Sequence, residues 1–270
     1  MFRRSLFVIS FLCAASAAGQ AAAQDVLFAY KFEAGSSHRY QVKLSQELDF
    51  GGNAISQIAD LEVTVTCASV SDGKAVMDMT FDKADMMREM FGSQNADPIA
   101  EAITGRGVTF TVDATGEVGD IKQSGYYDGW DQIRAFVEPM VKGWYVRLPN
   151  QAYAPGAKWD NTDKDKSADG TDVTMISHYQ YKENKQLGGR NCASVIGDIE
   201  STASGRSISP MGTFDVDGGG KGKAEFLFDP SAQMIVKLKA KMSVDMNLTP
   251  AAGGDAVDTS VTYQMERELL

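Results

Sequence analysis

The sequence predicts a mainly β protein: a curved antiparallel sheet, half-barrel or sandwich-like, built from two related halves with a kinked helix packed against it. Three observations predict it. Apolar and polar residues alternate with period two over long stretches. Turn signals such as Asp72-Gly73 and Gly188-Gly189 punctuate those stretches. One stripe at helical spacing, Trp130 to Trp144, interrupts them.

The chain opens Met1-Phe2-Arg3-Arg4. An apolar run from Leu6 to Ala18 follows, then Ala21-Ala22-Ala23 before Gln24. A charged start, a short apolar middle and a small-residue exit make a cleavable secretory signal over residues 1–23. The run is shorter than the roughly 20 residues a membrane span takes. Cys13 follows Leu12, not the small residue that lipidation needs. The Ala-rich exit looks like a Gram-negative export signal, so the expected location is periplasmic or secreted. Cleavage removes two arginines and lowers the formal net charge from −10 to −12. That charge disfavours nucleic acid, whose phosphates call for clustered Lys and Arg. No later stretch approaches a transmembrane helix.

The first strand signal places Tyr40, Val42, Leu44, Leu48 and Phe50 on one face and charged or polar residues on the other. Leu61, Val63, Val65 and Cys67 repeat the pattern, as do Met77, Met79 and Phe81. Asp72-Gly73 joins these two as a hairpin. Asp97-Pro98 caps a short helix that Gly105 stops, over about residues 97–104. A second helix spans about residues 128–143, from Asp128 to Gly143, with Pro139 predicting a kink. The longest strand carries Val236, Leu238, Ala240, Met242, Val244, Met246 and Leu248 on one face. At about 3.3 Å per residue it reaches about 40 Å, and such a strand must twist. Lys223–Phe228 is its hairpin partner, and Val261, Tyr263 and Met265 mark the last strand. Gly218-Gly219-Gly220-Lys221-Gly222 and the acidic stretch Asp160–Asp172 read as exposed loops. An outer-membrane barrel shares the alternation. Dense wet-face charge, the lack of aromatic girdles and the helical segment argue against it.

Gly35-x-x-x-x-Tyr40 opens the first set of strands, and Pro155-Gly156-x-x-Trp159 opens a second. The expected organisation is a signal at 1–23, a first β half at 24–150 containing both helices, and a second β half at 151–270. With Asp72-Gly73 and Gly107-Val108-Thr109-Phe110 leading to Asp113-Ala114-Thr115-Gly116, these motifs resemble a group of exported bacterial β-sheet proteins. That resemblance implies a fold style and carries no activity or catalytic residue. A looser analogy in shape is the periplasmic lipoprotein carrier, a curved sheet with helices at its mouth.

Candidate chemistry is sparse. His38 and His178 sit in or beside strands among serines, and no Gly-x-Ser-x-Gly elbow marks a nucleophile. The chain offers too few His and Cys at ligand spacing for zinc. Gly220-Lys221 lacks the upstream glycine and following Ser or Thr of a phosphate loop. Asp215-Val216-Asp217-Gly218 lacks a closing glutamate, since Phe226 stands there, so calcium is not expected. Met77, Met79, Met86, Met87 and Met90 could bind Cu(I) through thioethers. Their simpler reading is core, with Met77 and Met79 on a strand and Met87, Met90 and Phe91 on a helix face. Cys67 and Cys192 remain after cleavage, and an oxidising compartment permits a bridge between them. Two separate buried thiols are the alternative.

No cofactor, metal or catalytic residue is therefore assigned. The leading expectation is a non-enzymatic protein that binds or carries an apolar ligand in a sheet concavity lined by Trp130, Phe136, Met140, Trp144, Met77 and Met79. Such a carrier predicts an enclosed apolar cavity. The alternative is a structural adaptor that contacts envelope proteins through its sheet edges, with a filled core and a sizeable exposed apolar patch or open edge; a structure without a cavity counts against the carrier. A hydrolase comes third and needs a cleft where a nucleophile and a base converge.

Overall fold

The computed structural model describes residues 25–90, 92–125, 129–166, 170–209 and 212–270. The expected signal at 1–23, and the helix-start residue Asp128 with Phe91, lie outside them. In chain order the elements are β1 (Val26–Phe28), β2 (Ser37–Phe50), β3 (Asn53–Ser71), β4 (Lys74–Met90), β5 (Ser93–Ala96), α1 (Pro98–Ile103), β6 (Gly107–Asp113), β7 (Val118–Ser124) and α2 (Trp130–Lys142). Then follow β8 (Gln151–Tyr153), β9 (Lys158–Lys166), β10 (Asp172–Leu187), β11 (Arg190–Ser209), β12 (Gly212–Asp229), β13 (Met234–Pro250) and β14 (Val257–Leu269).

Twelve of these strands form one antiparallel sheet, in the order β7-β6-β4-β3-β2-β14-β13-β12-β11-β10-β9, with β5 on the end of β4. Residues up to 124 supply one contiguous side of the sheet and residues from 158 the other. They meet where the first long strand pairs with the last, Leu269 opposite Tyr40 and Thr259 opposite Phe50. The sheet does not close into a barrel: β7 and β9 have no ladder between them.

Two-residue turns set the register of three hairpins. Gly51-Gly52, Asp72-Gly73 and Gly188-Gly189 all have φ > 0 at both positions, the condition for turns whose twist matches the flanking strands. Asp97 caps α1 by accepting from the Ile99 N–H, and Pro98 follows at the first turn. The second helix runs continuously through Pro139 and ends at Gly143.

Two plugs cover the upper part of the sheet's inner face. Ile133, Val137, Val141 and Trp144 of the α2 segment pack on Val42, Leu61, Met79 and Phe110 of the first half. On the second half, Phe28 of the small β1–β8 ribbon is fully buried between Trp159, Tyr181 and Phe228, ring centroids 5.1–5.3 Å away. Burying each such aromatic contributes about 1.5–3 kcal/mol.

Three expectations are corrected here. Gly218–Gly222 is no turn: it lies inside β12, paired residue for residue with Met246 to Met242 of β13. The period-two pattern runs through it with glycine at the inward positions. The acidic stretch is β9 as far as Lys166, with Trp159, Asn161, Asp163 and Asp165 opposite Tyr179, Ser177, Met175 and Val173. Met87 and Met90 sit on the end of β4, opposite Ile58 and Ile55, and not on a helix.

Candidate functional site

The inner face divides into a covered upper part and an uncovered lower part. The rows follow from strand register. One runs across the sheet from Leu44 to Met265, Ala240, Ala224 and Gly197. The next carries Gln46, Tyr263, Met242, Gly222 and Ile199, and the third Leu48, Val261, Val244, Gly220 and Ser201. Below these come Phe50, Thr259, Met246, Gly218 and Ala203.

Tall side chains in the lower rows are half-buried, as expected of a sheet face with no layer above it: Leu48, Phe50, Met242, Val244, Met246 and Leu248. Tyr263 is 46% exposed. Between them the floor is of glycine, alanine and serine. The inward Gly218 and Gly222 approach β13 closely, since an added Cβ would meet its backbone carbonyls at 2.5 and 2.6 Å. Rows repeat about every 6.8 Å and strands about every 4.8 Å, so four rows on five strands make a trough of roughly 20 by 19 Å. That is about 400 Å², within the range of the largest apolar patches on monomers, which are often functional. At its open end lies a depression of about 880 Å³ that combines inward Met246, Val257 and Thr259 with Asp49, Asp217, Asp245 and Asp258.

The unladdered seam between β7 and β9 is bridged by side chains. Lys142, at the end of α2, reaches Asp165 at 2.6 Å. Arg147 contacts Asp163 at 3.2 Å and Glu117 at 3.0 Å, and Asn161 Nδ2 donates to the Arg147 carbonyl. The inward acids Asp163 and Asp165 of β9 are thus paired with cations at and just past the end of α2.

Above the trough is a buried cation. Arg267 of β14 is 3% exposed. Its guanidinium lies 4.6 Å from the Trp144 ring and 5.4 Å from the Tyr40 ring and donates to the Trp144 carbonyl just past the end of α2, where a cation is favoured. No described carboxylate pairs with it, and its Nε–H has no described partner. Tyr30, Tyr40 and Tyr145 surround it. Burial pushes all three phenols upward in spite of the nearby cation, so they are neutral at ordinary pH and do not balance the charge. Arg267, Tyr40, Trp144, His38 and Lys31 line a small void of about 50 Å³. That holds a few waters or one small polar group, far from a ligand pocket of several hundred Å³.

The residues expected to contact ligand are placed differently from that expectation. Met77, Met79, Met140 and Trp144 are buried in the first-half core, with Trp130 and Phe136 packed against it. Only Met77 and Trp144 of the six also line the small void. The enclosed cavity expected of a carrier is not found among the described residues: the core is filled beside an open apolar trough, the arrangement expected of the adaptor. Cys67 on β3 and Cys192 on β11 are separate buried thiols, five strand steps apart in the sheet order. A bridge needs Cα atoms within about 7 Å. Burial raises both thiols above their ordinary value. His178 lies exposed on the wet face with Nδ1 2.8 Å from Asp160. His38 turns inward beside the void, lowered by burial and by Arg190. Among the described residues no cluster of His, Cys, Asp and Glu could hold a metal, and no helix is long and apolar enough to cross a membrane.

Arg267 carried a readable signal, because Val261, Tyr263, Met265 and Arg267 share one parity. A cation at an inward position of a strand is an anomaly.

No protein-family model matches the chain, and neither does any curated protein. Among solved structures it is similar to lipovitellin, from a study of lipid–protein interactions in that protein, with a TM-score of 0.51 at 12% identity over 89% of this chain. The match spans 25% of the lipovitellin chain, so the likeness is one of fold. A loop-deletion mutant of OmpT, an outer membrane protein of Vibrio cholerae, aligns at 8% identity over 88% of this chain and all of its own, with a TM-score of 0.18.

Proposed function

We propose that this chain is an exported, non-enzymatic binding protein that carries an apolar, lipid-class ligand in the open trough of its sheet. The observation that carries the reading is the uncovered apolar face, half-buried side chains standing over a floor of glycine, alanine and serine. Two further points support it. The fold is similar to that of lipovitellin, a protein described by its interactions with lipid. The leader at residues 1–23 has the features of an export signal, which would put the trough outside the cytoplasm.

The ligand lies along the strands, with acyl-type chains against Met242, Val244 and Met246. Covering about 400 Å² at about 25 cal/mol per Å² is worth at most about 10 kcal/mol before the costs of association. That leaves room for reversible binding. The test uses the chain from Gln24 onward, offered phosphatidylcholine vesicles and then examined by native mass spectrometry and solvent extraction. A bound lipid, lost in Val244→Asp/Met246→Asp with the fold retained by circular dichroism, is expected. A clean apo mass, with no uptake from vesicles, would overturn the reading and favour contact with protein partners.

A further inference from the structure

We propose that the void above Arg267 is a binding pocket for a single carboxylate group, whether free or borne by an amphiphile. The argument begins with what the pocket lacks. A guanidinium out of water ordinarily pairs with a carboxylate. Arg267 instead has one carbonyl and two aromatic faces, and a buried Nε–H left over.

The neighbouring cations are arranged differently. Lys31 is exposed and paired with Glu33 at 2.7 Å. Arg190 is paired with Asp229 at 2.9 Å. Among the void's cations, Arg267 is the one whose counter-charge does not come from the described chain. Lys31 and His38 line the same void, so an anion there would meet a fixed cation at the floor and donors at the sides.

Size and polarity agree with a carboxylate. The void of about 50 Å³ takes a group of a few waters' bulk. A carboxylate accepts from a guanidinium N–H with the strength of a charge-assisted bond. Trp144 and Tyr40 hold the guanidinium plane in place, so its donors are fixed before an anion arrives.

The test is the Nε–H resonance of Arg267 in the ¹⁵N-labelled chain, assigned by its loss in Arg267→Lys. Sodium acetate is titrated against sodium chloride at equal ionic strength. Acetate is expected to move the resonance downfield and to saturate, while chloride does not. Lys31→Ala, an exposed change that leaves the core intact, should weaken acetate about three- to fivefold, the loss expected of one screened charge, and serves for assignment if Arg267→Lys fails to fold. A resonance indifferent to acetate, or equally moved by chloride, overturns the proposal. Oleate that displaces acetate assigns the pocket to an amphiphile's head, and oleate that does not assigns it to a free carboxylate. Oleyl alcohol, which has no anionic head, reports on the trough alone. Its failure to bind would count against the carrier reading and leave the carboxylate pocket standing.

Discussion

Replacing Gly222 by alanine tests the geometry of the trough floor. The added Cβ would sit 2.6 Å from the Lys241 carbonyl oxygen and 3.1 Å from Cα and Cβ of Met242. Two of these three atoms are backbone, so relief requires β12 and β13 to shift apart. Forcing one methyl group into a packed site costs about 1–3 kcal/mol. Leaving glycine returns about 0.5–1 kcal/mol of backbone entropy. The net loss is about 0–2.5 kcal/mol, or a fall in Tm of up to roughly 10 °C for a domain of this size. Lys223→Ala, one residue on and facing water, is the control and should stay within about 0.5 kcal/mol. The assay is urea denaturation followed by far-UV circular dichroism. If Gly222→Ala exceeds the wild type in stability, the close approach of the two strands at the floor is wrong.

The other predictions concern the lid, the acids, the seam and the thiols. Trp144→Ala should cost about 3–5 kcal/mol in the same assay, because it empties the core and uncovers Arg267 together; a loss below 1 kcal/mol would contradict the packing described. Asp229 and Asp113 are pushed up by burial, but hydrogen bonds from Ser231, Arg190, Thr115 and Glu117 outweigh this and hold them below the ordinary 3.8. Their contribution is therefore complete above about pH 4 and lost as pH falls through the lowered values, and Asp229→Asn should flatten the fall in stability below pH 4. Exposed pairs such as Lys142–Asp165 are worth about 0–1 kcal/mol each, so Lys142→Ala/Arg147→Ala should hasten amide exchange in β9, as should raised salt, with little change in global stability. Cys67 and Cys192 should each take up one alkylating group after unfolding without reductant and almost none before it; a native mass two hydrogens lighter would indicate a bridge.

Much of the architecture was legible because period two is a local property. The long strand around Val236–Leu248 and the turn at Asp72-Gly73 needed no knowledge of what lay beside them. The errors were also physical. Glycine at 218, 220 and 222 has no side chain to register as inward, so a continuous strand looked like a break. Asp163 and Asp165 are inward yet charged because Lys142 and Arg147, distant in sequence, come to meet them at the seam. Met87 and Met90 fit both a strand and a helix by spacing, and the β3 ladder decides between them. Four of the six expected site residues, Trp130, Phe136, Met140 and Trp144, belonged to the apolar helical stripe and became core, because that face is what a sheet most readily covers. The open trough belongs to residues whose alternation looked ordinary. What distinguishes them is the lack of a layer above, which no single strand encodes.

The ladder between β2 and β14 also fixes an order of assembly. Each side of the sheet is a meander whose strands pair with near neighbours in the chain, so each can form early. The join at the centre waits for the last thirteen residues of strand, Val257–Leu269, and closes a loop over nearly the whole chain, the slow kind of contact. Until then β2 and β13 present bare edges to any other copy nearby. Arg267, Tyr263 and Val261 lie on that final strand. The proposed cargo site is therefore the last part of the molecule to come into being, and an unfinished chain has nowhere to hold a ligand.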